Sequence, residues 1–358
     1  KRFTRGELPG SLGFTCCAPG YETLICVIQS TEPTIPSTKW ATLKHFLTMF
    51  ALVMAGEAIF GLPFLVARIF RPTLLDVFGI TNLELGTAFS VYGVVAMLAY
   101  FPGGALADRF KARTMMALAL IVSALGGIVY ATIPDVTTLK WLFGFWGITT
   151  ILLFWAAMIR ATRVWGGAEG QGKAFGILDG GRGLLAALLA TVTVAVFGAL
   201  LPEDAATATL EQRAMALKQV IWIFTGMTVF AAVIVWFCVP DDEMGSVEEE
   251  SGGLAWDNIR EVLANPAVWL QGMIVVTAYT GYKGMDNLGL FARDVFAFND
   301  VEAANVTAVA FWVRPIAALC AGLLADKIGG PKTIVGCFAL IVIGDGLVAM
   351  GWYDPTAS

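Results

Sequence analysis

Charge is scarce in this chain: only 14% of its 358 residues are Asp, Glu, Lys or Arg, against about a quarter in a soluble domain. There is one histidine, His45, at the start of the first span, which argues against a histidine-based metal site and a Ser-His-Asp triad. Six cysteines (Cys16, Cys17, Cys26, Cys238, Cys320, Cys337) show neither metal-ligand nor disulfide spacing, so no metal or cofactor is expected. The glycine-rich stretch from Gly176 to Gly183 is not followed by Gly-Lys-[Ser/Thr], which argues against a phosphate-cradling nucleotide loop. The net charge of −5 is weighted by the acidic stretch from Asp241 to Glu250 and gives no reason to expect a nucleic acid partner. With no nucleophile–base pair or metal cluster in view, an enzyme is the least favoured class.

What fills the chain instead is apolar: 57% hydrophobic residues and a mean hydropathy of +0.74. A bilayer core about 30 Å thick needs about 20 apolar residues per helix. Windows of that kind recur near 45–69, 83–107, 114–133, 139–164, 176–201, 217–239, 267–290, 302–325 and 333–352. The expected fold is an all-α integral membrane bundle of nine spans. Residues 1–40 differ in composition; their apolar stretch Leu24 to Ile28 is too short to span, and they read as a disordered cytoplasmic tail or as sequence upstream of the true start. Residues 41–239 form a first group of six helices. Residues 240–266 are an acidic linker in which Trp256 to Leu263 resembles a surface helix. Residues 267–358 form a second, partial group of three. Short-loop bases (Arg109, Lys111, Arg113, Arg163, Lys173, Lys327, Lys332) fall on one side and favour a cytoplasmic N-terminus.

One short pattern occurs twice. Gly104-Ala105-Leu106-Ala107-Asp108-Arg109 closes the second span, and Gly322-Leu323-Leu324-Ala325-Asp326-Lys327 closes the eighth, 218 residues later. An internal duplication of that size implies two related helical units, as in many carriers. By that logic the second unit lacks about three helices here.

The repeated Gly-x-Leu-Ala-Asp-Arg resembles the signature of the major facilitator superfamily. A looser similarity, to its organic anion:phosphate antiporter branch, rests on Phe64 to Arg68, on Asn82 to Gly86 and on Tyr282 to Asp286. In the first copy, Lys111 and Ala112 stand where a glycine and a base are usual. The resemblance implies spans one, four, seven and ten around a central cavity, and secondary transport of a small solute by alternating access; a monomer is expected.

Ionisable groups deep in spans are costly and mark pathways or partners. Glu57, Arg68, Arg160, Lys283 and Asp286 are therefore the candidates for substrate binding or coupling. Glu57 and Lys283 are expected to face each other across the path, or else to form a permanent ion pair. Arg160 is a candidate anion ligand, whereas Arg163 reads as a residue snorkelling to the interface. Arg314 is expected to pair with Asp345, and Asp179 with Arg182, three residues on. Gly281 and Gly284 imply either an unwound stretch or close packing. Gly104, Asp108, Arg109, Gly322, Asp326 and Lys327 read as a gate. These bases favour an anionic organic solute, with phosphate antiport or proton coupling; the alternatives are a proton-coupled symporter of a neutral sugar or other metabolite, or a non-transporting membrane sensor.

Overall fold

The computed structural model describes residues 38–167, 170–203, 205–241 and 264–350. The expected surface helix and nearly all of the expected N-terminal tail lie outside the described residues. The first span is α1 (Thr38–Phe60), a wide π-type turn at Gly61–Leu65 and α2 (Val66–Ile69). Pro63 explains the widening. It has no N–H for the helical ladder and its ring crowds the preceding turn, so Val66 N–H reaches back five residues to Gly61. After α3 (Arg71–Phe78) come α4 (Asn82–Arg109) and α5 (Ala112–Ala131). The fourth span is α6 (Val136–Gly147), a second wide turn at Ile148–Trp155, and α7 (Ala156–Gly166). Next are α8 (Gln171–Ala199) and α9 (Leu210–Cys238). The last helices are α10 (Pro266–Lys283), α11 (Leu288–Phe296), α12 (Asp300–Ile328) and α13 (Gly330–Ala349).

Among the described residues, seven helical stretches are long and apolar enough to cross a membrane. All nine expected windows fall on helices, and seven of them meet that description. Of the remaining two, 267–290 is interrupted by a tight 3-10 turn at Gly284–Asn287, beside the glycines that suggested unwinding. The other, 302–325, lies inside the 29-residue α12.

Helix ends follow the sequence signals. Asp135 accepts from Thr137 N–H to start α6. Asn299 and Glu302 bond each other's backbone N–H at 3.0 and 2.9 Å and start α12. The same device starts α4 with Thr81 and Glu84. Just before each box lies a left-handed residue, Gly79 (φ 62°) and Ala297 (φ 56°). Thr81 and Asn299, Glu84 and Glu302, and Gly79 and Ala297 are each separated by the motif's 218 residues. The duplication thus extends from sequence into cap and turn geometry.

Packing relies on small residues and buried hydroxyls. A Cβ on Gly127 would lie 2.2 Å from Thr225 Oγ1, so only glycine lets α5 and α9 approach this closely. Around the second wide turn, Ser123 donates to Thr149 Oγ1 (2.6 Å) and Trp146 Nε1 to Ser123 O (3.1 Å). Tyr92 Oη and Thr150 Oγ1 are bonded at 2.7 Å. These bonds satisfy polar groups where no water is at hand. The helices after the acidic stretch meet those before it mainly where α12 lies on α8, with Trp312 Nε1 donating to Thr191 Oγ1 at 2.9 Å.

Candidate functional site

Two clusters of charged side chains lie between the helices. The first forms at the end of span one. Arg68, in α2, is 7% exposed; its Nε donates to Asp286 Oδ1 at 2.5 Å and its Nη1 to Tyr282 Oη at 2.8 Å. Asp286 stands in the 3-10 turn, which tips it inward to 6% exposure. It accepts a second bond from Lys283 Nζ at 2.7 Å. The Lys283 ammonium also lies 5.4 Å from the Phe64 ring and 5.2 Å from Phe89, where ring faces stabilise a cation. Arg314, in α12, donates to the same Tyr282 Oη at 3.4 Å and its guanidinium lies 5.6 Å from that ring.

The second cluster is deeper. Glu57 precedes Arg68 by 11 residues, about 16 Å along a helix. It is 3% exposed, and its Oε2 lies 3.5 Å from Arg182 Nε. The Arg182 guanidinium sits over Phe60 and Trp155, 5.6 and 5.8 Å from the ring centres. A Cβ at Gly56 would come within 2.9 Å of Arg182 Cδ, so the glycine makes room for this side chain. Arg182 Nε is buried with no hydrogen-bond acceptor. Besides Arg182, the cations whose charge reaches Glu57 are Arg314 and Arg68.

Several expected pairings are corrected. Glu57 does not face Lys283: its partner is Arg182, and Lys283 turns to Asp286 three residues on in its own turn. Arg314 goes to Tyr282 while Asp345 is exposed, and among the described residues no ion pair joins the two. Arg160 stands apart from both clusters. Its Nη1 donates to Ala107 O at 2.6 Å, tying α7 to the repeated motif at the end of α4. Asp179 does meet Arg182, at 3.4 Å.

At the motif end, Asp108 and Arg109 are exposed, as is Lys327. Gly104 is exposed in the last turns of α4. Gly322 and Asp326 fall outside the residues whose surroundings are described. The engaged bases there are Lys111 and Arg113, which meet Asp241 after α9 at 3.5 and 2.5 Å.

The opposite end carries a network that the sequence analysis did not single out. Asp76 in α3 accepts from Arg213 (3.2 Å) and Arg293 (2.9 Å), and Arg213 also reaches Asp300 at 3.3 Å. These residues come from α3, α9, α11 and α12, so the network ties helices on both sides of the acidic stretch. Burial holds the Asp300 carboxyl above the usual aspartate range, against the pull of Arg213.

A chain that is helical throughout its described regular structure, with buried ion pairs between long apolar helices and a duplicated turn motif, is an integral membrane protein of the carrier type. It belongs to the Major Facilitator Superfamily, whose profile matches residues 45–358. It is 27% identical over 303 residues to the inner membrane protein YqcE of Escherichia coli (strain K12), covering 83% of this chain and 69% of that one. To the inner membrane protein YihN of the same organism it is 24% identical, covering 86% and 72%. To the probable nitrate/nitrite antiporter NarK1 of Thermus thermophilus it is 22% identical, covering 87% and 66%.

Proposed function

We propose that this protein is a secondary transporter that moves a small anionic organic solute by alternating access, the two helix groups rocking about the acidic linker. One observation carries the reading. Arg68 and Arg182, with the partly buried Arg314 and the half-exposed Lys283, outnumber the buried carboxylates Glu57 and Asp286, and they still predominate when the exposed Asp179 is counted. Such a positive surplus in a low-dielectric setting is relieved by an anion. Arg314 is the natural first ligand, because its described contact is a neutral tyrosine hydroxyl. The aromatic faces of Phe60, Phe64, Trp155 and Tyr282 suit an organic skeleton, as in a sugar phosphate, sulfonate or carboxylate.

Glu57 is the coupling candidate. Its ion pair at 3.5 Å is loose enough for an incoming anion to compete for Arg182 and leave the carboxyl free to take a proton. Phosphate antiport is the other mode. A proton-coupled symporter of a neutral sugar would use the same carboxyl without the anion. The N-terminus is assigned to the cytoplasm of a bacterial inner membrane, with the Asp108/Arg109 motif as the inner gate.

The test is uptake into proteoliposomes, with matched phosphorylated, sulfonated, carboxylated and neutral sugars as candidate cargo. Transport confined to anionic cargo and lost in Arg314→Gln is expected. Transport of neutral sugars alone, or undiminished anion transport in Arg314→Gln, would refute the assignment; saturable binding without flux would identify a sensor.

A further inference from the structure

Between α5 and α9, on the outer surface of the helices and away from both charge clusters, runs an open groove of about 410 Å³. Its walls are Thr114, Leu118 and Ile121 on one side and Val233, Trp236 and Phe237 on the other. From Thr114 to Ile121 it extends two helical turns, about 10 Å. Its mouth is charged. Arg113, the residue before Thr114, lays its guanidinium 4.9 Å from the Trp236 ring centre, and Lys111 stands one turn back at the start of α5.

Those two bases share one acid, Asp241. Arg113 Nε is buried without an acceptor, Lys111 is half exposed, and no side chain caps the first turn of α5. Among the described residues the mouth therefore places two bases against one acid directly above an apolar trough. That order, cation above and hydrocarbon below, is complementary to a phospholipid whose phosphate lies at the membrane surface and whose chain lies along the helices.

We propose that the α5–α9 groove binds one anionic phospholipid, an acyl chain lying against Leu118, Ile121 and Trp236 and the headgroup phosphate taken by Lys111 and Arg113. The phosphate competes with Asp241 for Arg113, so the lipid influences how the end of α9 is held against the repeated motif. Nothing in this assignment depends on what the protein transports.

The experiment uses the full chain in phosphatidylcholine vesicles containing a minor fraction of chain-brominated lipid, which quenches tryptophan on contact. The Trp236 signal is obtained by subtracting the Trp236→Phe variant. Brominated phosphatidylglycerol should quench Trp236 more than brominated phosphatidylcholine at equal mole fraction, by about fivefold in apparent affinity, the effect of one interfacial cation. The preference should fall to parity in the double variant Lys111→Gln/Arg113→Gln. The half-exposed Lys111→Gln alone should reduce it should the double variant fail to fold. Equal quenching by the two lipids, a stronger effect from brominated phosphatidylethanolamine, or an unchanged preference in Lys111→Gln would each overturn the proposal.

Discussion

Arg68 and Asp286 are 218 residues apart, the interval that separates the two copies of the repeated motif, and they form an ion pair at 2.5 Å. The pair therefore joins equivalent positions of the two repeats. A contact of this kind lies where related helices meet, and it couples the end of span one directly to the broken segment of span seven. Both partners are more than nine-tenths buried, so removing one charge strands the other. Asp286→Asn is expected to cost about 3–5 kcal/mol, read as a large fall in melting temperature in detergent. The reversal Arg68→Asp/Asp286→Arg should recover part of that loss. If Asp286→Asn melts like wild type, the pair is not a structural tie.

The opposite-end network makes a prediction about pH. Asp300 lies two residues outside the apolar stretch 302–325 and faces Arg213, Asp76 and Arg293. Burial raises its carboxyl above the usual aspartate range in the closed network. A raised carboxyl means the closed form binds a proton more readily than a form in which Asp300 is solvated. Lowering the pH through the raised value toward the ordinary one therefore favours closure, and raising it again removes that contribution. Labelling of a cysteine at Glu203, beside this end, should slow at acidic pH in wild type. Thiol labelling slows at low pH by itself because the thiolate is the nucleophile, so the measure is the slowing in wild type beyond that of Asp300→Asn carrying the same cysteine; equal slopes in the two backgrounds would assign the effect to another group.

How much of this was legible beforehand differs between levels. The span positions were readable because burial in lipid requires long uninterrupted apolar runs, and caps such as Asn299/Glu302 are local codes. Partners were harder. Hydropathy gives a residue's approximate depth but not the direction its side chain takes around the helix. Glu57 and Lys283 looked like facing partners; the turn at Gly284–Asn287 instead brings Asp286 to Lys283, and α8 brings Arg182 to Glu57. Arg182 was read only with its near neighbour Asp179, since a pair three residues apart is visible in one dimension and a pair 125 residues apart is not. One signal was available. Applying the motif's interval to Arg68 lands on Asp286.

The α5–α9 crossing offers a test of packing alone. Gly127 faces Thr225, and a methyl group there would overlap its hydroxyl oxygen. Gly127→Ala should destabilise the protein by about 1–3 kcal/mol through overpacking. Thr225→Ala in the same chain removes the oxygen nearest the clash and should restore part of the loss, a coupling that distant sites do not show. Additive melting-temperature changes in the double variant would mean that α5 relieves the overlap by shifting as a whole.

The repeated motif yields the last prediction. Asp108 and Arg109 are exposed at the end of α4, while Arg160 holds the carbonyl of Ala107 immediately before them. Arg160 thus positions the motif without touching either charge cluster. Replacing Asp108 by Ala leaves Arg68, Arg182 and Arg314 in place, so solute affinity measured by thermal stabilisation should stay close to wild type. Turnover in proteoliposomes should fall, because an acid at a helix end serves to hold and release facing N–H groups and bases as the inner side closes. Arg160→Gln should act in the same direction by loosening the α7 tether. If either substitution weakens solute binding and turnover in equal proportion, the motif contributes to the binding site and the gate assignment fails.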